Sequence, residues 1–172
     1  MITYLAGDAT CPQASGPKII AHVCNDAGGW GKGFVLAISA RWPAPEECYR
    51  RWYKLRKAAE GGELQRATPG ALVSTTGDFQ LGEVQLVQVL PDTYVANMIG
   101  QAGTRMTSEG PPIRYPAVQA ALAKIAAFAG SLRASIHMPR IGCGLAGGKW
   151  ERIEPLIEEA LGGYQVLVYD FQ

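Results

Sequence analysis

Apolar positions along the chain switch repeatedly between two spacings. Short β-rich runs fall at Ile2–Leu5 and Lys18–Val23, the second carrying Ile19, Ile20 and Val23 and ending in a polar turn. Phe34, Val35 and Ile38 then recur at helical spacing within Lys32–Arg41, which Pro43 and Pro45 close. Glu46–Ala59 reads as a second helix, amphipathic and basic on its outer side. Three strand candidates follow, Ala71–Thr75, Val84–Val89 and Tyr94–Ile99, with turns at Gly77–Asp78 and Pro91–Asp92 between them. The segment Gln101–Pro112, with Gly, Thr, Ser and two prolines, reads as a mobile loop. Tyr115–Ala129 predicts an alanine-rich helix, Ser135–Met138 a strand, Lys149–Leu161 a helix and Tyr164–Tyr169 a last strand.

Strands interleaved with helices predict a sheet covered on both faces, and the turn-linked middle strands make part of that sheet antiparallel. The expectation is one α/β domain over residues 1–172, three layers deep, with a central mixed sheet of about six strands. A length of 172 residues with 48% apolar and 18% charged residues supports a sizeable core. The net charge of +1 excludes a globally basic nucleic-acid binder, and Arg50, Arg51, Lys54, Arg56 and Lys57 read as a solvated helix face. Cys11, Cys24, Cys48 and Cys143 form no CxxC pair and no metal-ligand cluster, so they read as reduced thiols. The opening MITYLAGDAT is not a signal peptide and no stretch suits a bilayer, which predicts a cytoplasmic protein with no membrane partner.

The chemistry gathers in two glycine-rich loops at strand ends. In HVCNDAGGWGKGF (22–34) a strand runs through Asn25-Asp26 into Gly28, Gly29, Gly31 and Gly33 and then into a helix. MPRIGCGLAGGKW (138–150) repeats the arrangement, with four glycines in seven residues. Glycine lets backbone pass close to a ligand, and a following helix start presents unpaired N–H groups, which suits a phosphate or diphosphate. The spacing matches neither a Rossmann fingerprint nor a P-loop.

Around the loops, Asn25 can bond ribose hydroxyls, and Asp26 can act as a base or as a helix N-cap. His22 is either a proton-transfer group or a satisfied core histidine. Asp8 can accept from an exocyclic amine or cap its own turn, and Cys143 is a nucleophile or a small buried residue. Trp30, inside the first loop, reads as a cover for a ribose or phosphate outside the core, and Tyr169 as either a ligand border or core. Trp150 reads as packing for the second loop, and Trp42 and Trp52 as core. Gln101 and Gly103 lie in the segment Gln101–Arg105, which reads either as a part that closes over a ligand or as an ordinary surface loop.

Together GDAT (7–10), the Asn25–Gly33 loop, MPRIGCGL (138–145) and Trp150 resemble the macro domain family over nearly the whole chain. The resemblance implies the macro fold, with Asp8 and Ala9 at adenine. It places Asn25, Gly31, Lys32 and Gly33 at the distal ribose and a phosphate, and Ile141, Gly142, Cys143, Gly144 and Leu145 around the diphosphate. It implies ADP-ribose, or an ADP-ribosylated protein or nucleic acid, as partner, and it calls for no cofactor and no metal. The motifs are most similar to the terminal ADP-ribose glycohydrolase and antitoxin branch, and resemble the ADP-ribose-1″-phosphate phosphatase branch. The glycohydrolase lysine and aspartate fall here on Gln101 and Ala146, which can neither form an imine nor accept a proton. Hydrolysis would then use a water positioned by the substrate's diphosphate, with Asn25, Gln101, Asp26 and His22 as the groups to assist it. The readings left open are a hydrolase for ADP-ribosylated macromolecules, a phosphatase for ADP-ribose-1″-phosphate, and a binding module without catalysis.

Overall fold

The computed structural model describes residues 1–56, 65–68 and 71–172. These form one eight-stranded sheet from β1 (Ile2–Ala6), β2 (Lys18–Asn25), β3 (Gln65–Thr68), β4 (Ala71–Thr75), β5 (Val84–Leu90), β6 (Thr93–Gln101), β7 (Ser135–Met138) and β8 (Val166–Asp170). The spatial order is β1-β8-β7-β2-β6-β5-β4-β3. The pairs from β1 through β6 are parallel, and those from β6 through β3 are antiparallel. The turn-linked meander is therefore confined to one side of the sheet.

Among the described residues four helices cover the two faces: α1 (Phe34–Arg41), α2 (Ala44–Leu55), α3 (Tyr115–Leu132) and α4 (Trp150–Leu161). Successive residues of a strand point to opposite faces, and β2 shows the consequence. Its Ile19 joins Val118, Leu122, Ile153 and Ile157 of α3 and α4, while its Ile20 joins Val35, Ile38, Tyr49 and Trp52 of α1 and α2. A central strand buried on both faces reads as a near-continuous apolar run rather than an alternating one.

The structure differs from the pattern-based expectation in a few places. The sheet has eight strands rather than about six. The one strand beyond the seven candidate runs, β3, is QRAT, which carries no alternation and is defined by its pairing with β4. Helix α1 starts at Phe34 rather than Lys32. Helix α2 begins two residues before Glu46 and stops where Arg56 takes a left-handed conformation (φ 62°), so the expected reach to Ala59 falls beyond the described residues. The segment after β6 is tied down by Ala102 N–H donating to the Pro112 carbonyl (2.8 Å) and by a Thr107–Gly110 bridge.

All five parallel strands end at the same edge of the sheet. The segments that follow Ala6, Asn25, Gln101, Met138 and Asp170 therefore converge there, where ligands of open α/β sheets settle.

Candidate functional site

The two glycine loops face each other across this edge and enclose two adjoining cavities. One, of about 430 Å³, is lined by Asn25, Gly29, Gly31, Lys32, Gln101, Thr104 and Arg105 among others. The second, of about 410 Å³, is lined by Gly33, Phe34, Arg140, Ile141, Gly142 and Gly144 among others. Val23, Lys32, Val35, Gln101 and Leu145 border both, so the two are lobes of one cleft. A Cβ placed on Gly33 would lie 3.5 Å from Leu145 Cδ1, so the two loops come into contact there. Gly33 caps α1 at φ 85°, a conformation that glycine adopts without steric cost, and its carbonyl accepts the Leu36 N–H at 3.1 Å.

The first loop is organised from within by Asn25. Its Oδ1 accepts from Ala27 N–H (2.9 Å) and Gly29 N–H (3.0 Å), and its Nδ2 donates to the Gly29 carbonyl (2.9 Å). Tyr49 from α2 donates its hydroxyl to the Asn25 carbonyl at 2.6 Å. The amide expected to reach ribose is thus mostly spent on shaping the loop that reaches it.

Asp26 is neither an N-cap nor an open base. Its Oδ1 accepts the Gly103 N–H at 2.8 Å, its own N–H donates to the Gln101 carbonyl at 2.9 Å, and Gln101 Nε2 donates to the Gly103 carbonyl at 3.0 Å. This clamp fixes Thr104 and Arg105 at the mouth of the first lobe. Sequence reasoning placed both within the Gln101–Arg105 segment beside the ligand but gave neither a site role of its own. A cation two residues past Gly103, on a segment following a central strand, was the available signal. If the carboxylate serves as an acceptor, Asp26→Asn should keep the Gly103 contact and leave urea unfolding within about 0.5 kcal/mol. Asp26→Ala should cost about 1 to 2 kcal/mol, because the Gly103 N–H loses its acceptor.

His22 is a core residue. It is 2% exposed although it borders the second lobe, and its Nε2 lies 2.6 Å from Asn97 Oδ1. Asn97 Nδ2 donates to Gln85 Oε1 (3.1 Å) and to the Pro45 carbonyl (3.2 Å), so Oδ1 is the acceptor and His22 carries its proton on Nε2. Burial pushes its pKa down to about 4. A proton-transfer role is therefore withdrawn.

Trp30 is also core rather than cover. It is 3% exposed, packs edge-on to His22 and donates Nε1–H to Ser39 Oγ at 2.8 Å. The alternating glycines suggested an outward tryptophan, but the loop folds back onto α1 and α2. Tyr169 is buried as well, with its hydroxyl accepting Gln13 N–H (2.8 Å) and lying 2.7 Å from His137 Nδ1. It holds the segment after β1 and presents no face to a ligand.

Asp8 and Ala9 sit in that segment. Asp8 Oδ1 accepts from both the N–H (2.8 Å) and the hydroxyl (2.7 Å) of Thr10, while Oδ2 lies 3.6 Å from Arg41 Nη2. Desolvation opposes ionisation, but these hydrogen bonds and Arg41 hold the carboxyl below its usual range. Asp8 caps its own turn and keeps one oxygen partly open; Ala9 is buried.

In the second loop, Ile141 is core, Gly144 and Leu145 face solvent, and Ala146 is buried with its carbonyl accepting Ile113 N–H at 3.0 Å. Burial raises the Cys143 thiol above its usual pKa, which disfavours a thiolate nucleophile. Arg140 forms a two-pronged pair with Asp170 (2.6 and 3.0 Å) between the rings of Tyr4 and Trp150. Trp150 thus braces the loop's first residues. All four cysteines are free thiols. Among the described residues, no helix is long and apolar enough to cross a membrane.

A 50% identical macrodomain protein from Streptomyces coelicolor has a solved structure that superposes with a TM-score of 0.78, covering 99% of each chain. The chain belongs to the macrodomain family. No family model matches it. Among curated relatives, ADP-ribose 1″-phosphate phosphatase of Candida albicans is 27% identical over 165 residues, covering 92% of this macrodomain and 93% of the relative. Chromodomain-helicase-DNA-binding protein 1-like of Mus musculus is 28% identical over 99% of this chain, which spans only 18% of that relative's length. The Trypanosoma brucei macrodomain, solved in complex with ADP-ribose, shares the fold at 18% identity with a TM-score of 0.56 over 99% of this chain and 63% of that one.

Proposed function

We propose that this macrodomain binds ADP-ribose and hydrolyses the bond between its distal ribose and an oxygen-linked group on a modified macromolecule. The adenine sits beside Asp8, the diphosphate lies along Ile141–Leu145, and the distal ribose occupies the lobe formed by Asn25–Lys32 and Gln101–Arg105.

One observation carries the choice of linkage. The lining of the first lobe includes two cations, Lys32 and Arg105, and no carboxylate, since Asp26 is turned aside to Gly103. A lobe without an acid suits a leaving group that departs as an anion and needs no protonation. When the C1″–O bond breaks, the electron pair goes to a carboxylate oxygen, and Arg105 stabilises the developing charge. Water then adds its oxygen to C1″, and its proton passes to the substrate's diphosphate or to solvent. Gln101 Oε1, which accepts no hydrogen bond among the described residues, faces this lobe and orients that water. A nitrogen-linked base or guanidine would lack the proton donor it needs to leave.

The same cations favour a second reading, hydrolysis of ADP-ribose 1″-phosphate, supported by the likeness to the Candida albicans phosphatase. Calorimetry with ADP-ribose tests the shared binding step, and absence of affinity at about 100 μM overturns both readings. Release of ADP-ribose is then compared for a glutamate ester, the 1″-phosphate and a base-linked DNA strand. Faster release from the ester supports the proposal; faster release from the base-linked strand overturns it. In Arg105→Gln, kcat on the ester should fall by about 10²-fold while ADP-ribose affinity changes little.

A further inference from the structure

Behind the second glycine loop lies another cavity, of about 450 Å³, which neither lobe of the cleft includes. It is lined by Glu109, Arg114, Tyr115, Gly147, Lys149 and Arg152, with Ile113 and two prolines completing the wall. Three cations thus meet one carboxylate. Glu109 is occupied by Arg114 Nη2 at 3.3 Å, so Lys149 and Arg152 have no acidic partner among the described residues.

Two of the cations are held in place. Arg114 Nη1 donates to the carbonyls of Pro111 (2.8 Å), Ile113 (3.0 Å) and Pro112 (3.2 Å). The Arg152 guanidinium lies 3.8 Å from the centroid of the Tyr115 ring, which fixes its plane and leaves its edge N–H groups for a ligand. The Tyr115 hydroxyl accepts the Lys149 N–H at 3.0 Å, and its own proton has no acceptor among the described residues. The wall therefore offers an ammonium, a stacked guanidinium and a hydroxyl donor around a space of ligand size. Unpaired cations with a spare hydroxyl donor fit a phosphoryl group, and the volume leaves room for an attached nucleoside.

We infer that this cavity is a second phosphoryl-binding site, shaped for a nucleoside monophosphate unit, either free or part of a strand. It stands back to back with the proposed ADP-ribose cleft. Gly142 and Gly144–Ala146 line the cleft, while Gly147 and Lys149 of the same loop line this cavity. The assignment depends on the cleft reading only through the blocking step of its test.

Uridine monophosphate, inorganic phosphate and a 5′-phosphorylated single-stranded oligonucleotide are titrated into the protein, both free and with the cleft saturated by ADP-ribose. Amide shifts are followed by NMR. Uridine monophosphate should move the signals of Tyr115, Lys149 and Arg152, and the variant Lys149→Gln/Arg152→Gln should bind it at least about 10-fold more weakly with an unchanged melting temperature. An oligonucleotide affinity at least about 10-fold above that of the mononucleotide assigns the phosphoryl group to a strand, and equal affinities assign it to a free nucleotide. Lack of binding by all three probes, or unaltered binding in the variant, overturns the site. If ADP-ribose itself does not bind, the cleft reading fails, and the same titration without it still decides the cavity.

Discussion

Gly144→Val should abolish ADP-ribose binding while leaving the fold intact, whereas Gly148→Ala, four residues on, should cost the fold itself. Nothing lies within 4 Å of a Cβ built on Gly144, which sits at the exposed rim of the second lobe without a left-handed backbone. A valine there meets no protein atom and fills space proposed for the diphosphate. Affinity should fall at least about 100-fold, or about 2.7 kcal/mol, because the loop N–H groups no longer approach the phosphates. The melting temperature should stay within about 2 °C, as for an ordinary surface change. A Cβ on Gly148 would instead lie 2.4 Å from the Gly142 carbonyl oxygen, whose hydrogen bond from the Gly148 N–H (2.7 Å) closes the loop on itself. The neighbour is backbone and cannot swing aside, so the loop must open. The cost is about 3 kcal/mol, or roughly 10 °C of melting temperature for a chain of this length. Calorimetry and thermal unfolding on the two variants read both quantities. Equal ADP-ribose affinity in Gly144→Val and the parent chain would remove the second loop from the ligand site.

The sequence carried this distinction only partly. Both loops were legible because glycines cluster where a strand ends and a helix begins, and apolar periodicity marks both boundaries. Which glycine faces a ligand and which faces its own loop depends on contacts such as Gly142 with Gly148, and these have no one-dimensional signature. The polar residues beside the loops were harder for the same reason. Asn25 both accepts from and donates to Gly29, Asp26 accepts from Gly103, and the second of these partners lies 77 residues away. Trp30 misled because a tryptophan among glycines reads as exposed, and only the packing of α1 and α2 provides Ser39 and the Tyr49 ring for it. Strand β3 was missed because QRAT carries no alternation and only its pairing with β4 defines it.

The chain should lose stability steeply between pH 6.5 and 4, ahead of the usual carboxylate range, because both histidines are buried and neutral. His137 is fully buried between Ser135 Oγ (2.8 Å from Nε2) and the Tyr169 hydroxyl, and His22 is sealed beneath Trp30 and Asn97. Burial pushes each pKa down to about 4, with the Lys18 charge adding to the effect at His137. The unfolded chain binds a proton at each histidine near pH 6.5, and the folded chain does not until about pH 4. Within that window the unfolded state therefore holds more protons, and stability falls as pH falls. Each histidine contributes about 3 kcal/mol across the whole window, of which about 2 kcal/mol is lost by pH 5. Asp8, Asp92 and Asp170, whose pKa values are lowered, withdraw their contributions only below about 3.8, so the two effects separate along the pH axis. Urea unfolding at pH 7 and pH 5 should show a drop of about 4 kcal/mol in the parent chain and about half of that in His137→Gln, whatever the variant's stability at pH 7. An unchanged drop in the variant would mean that His137 is protonated in the fold. The Tyr169 and Gln13 tether that orients the Asp8 segment would then be under acid control.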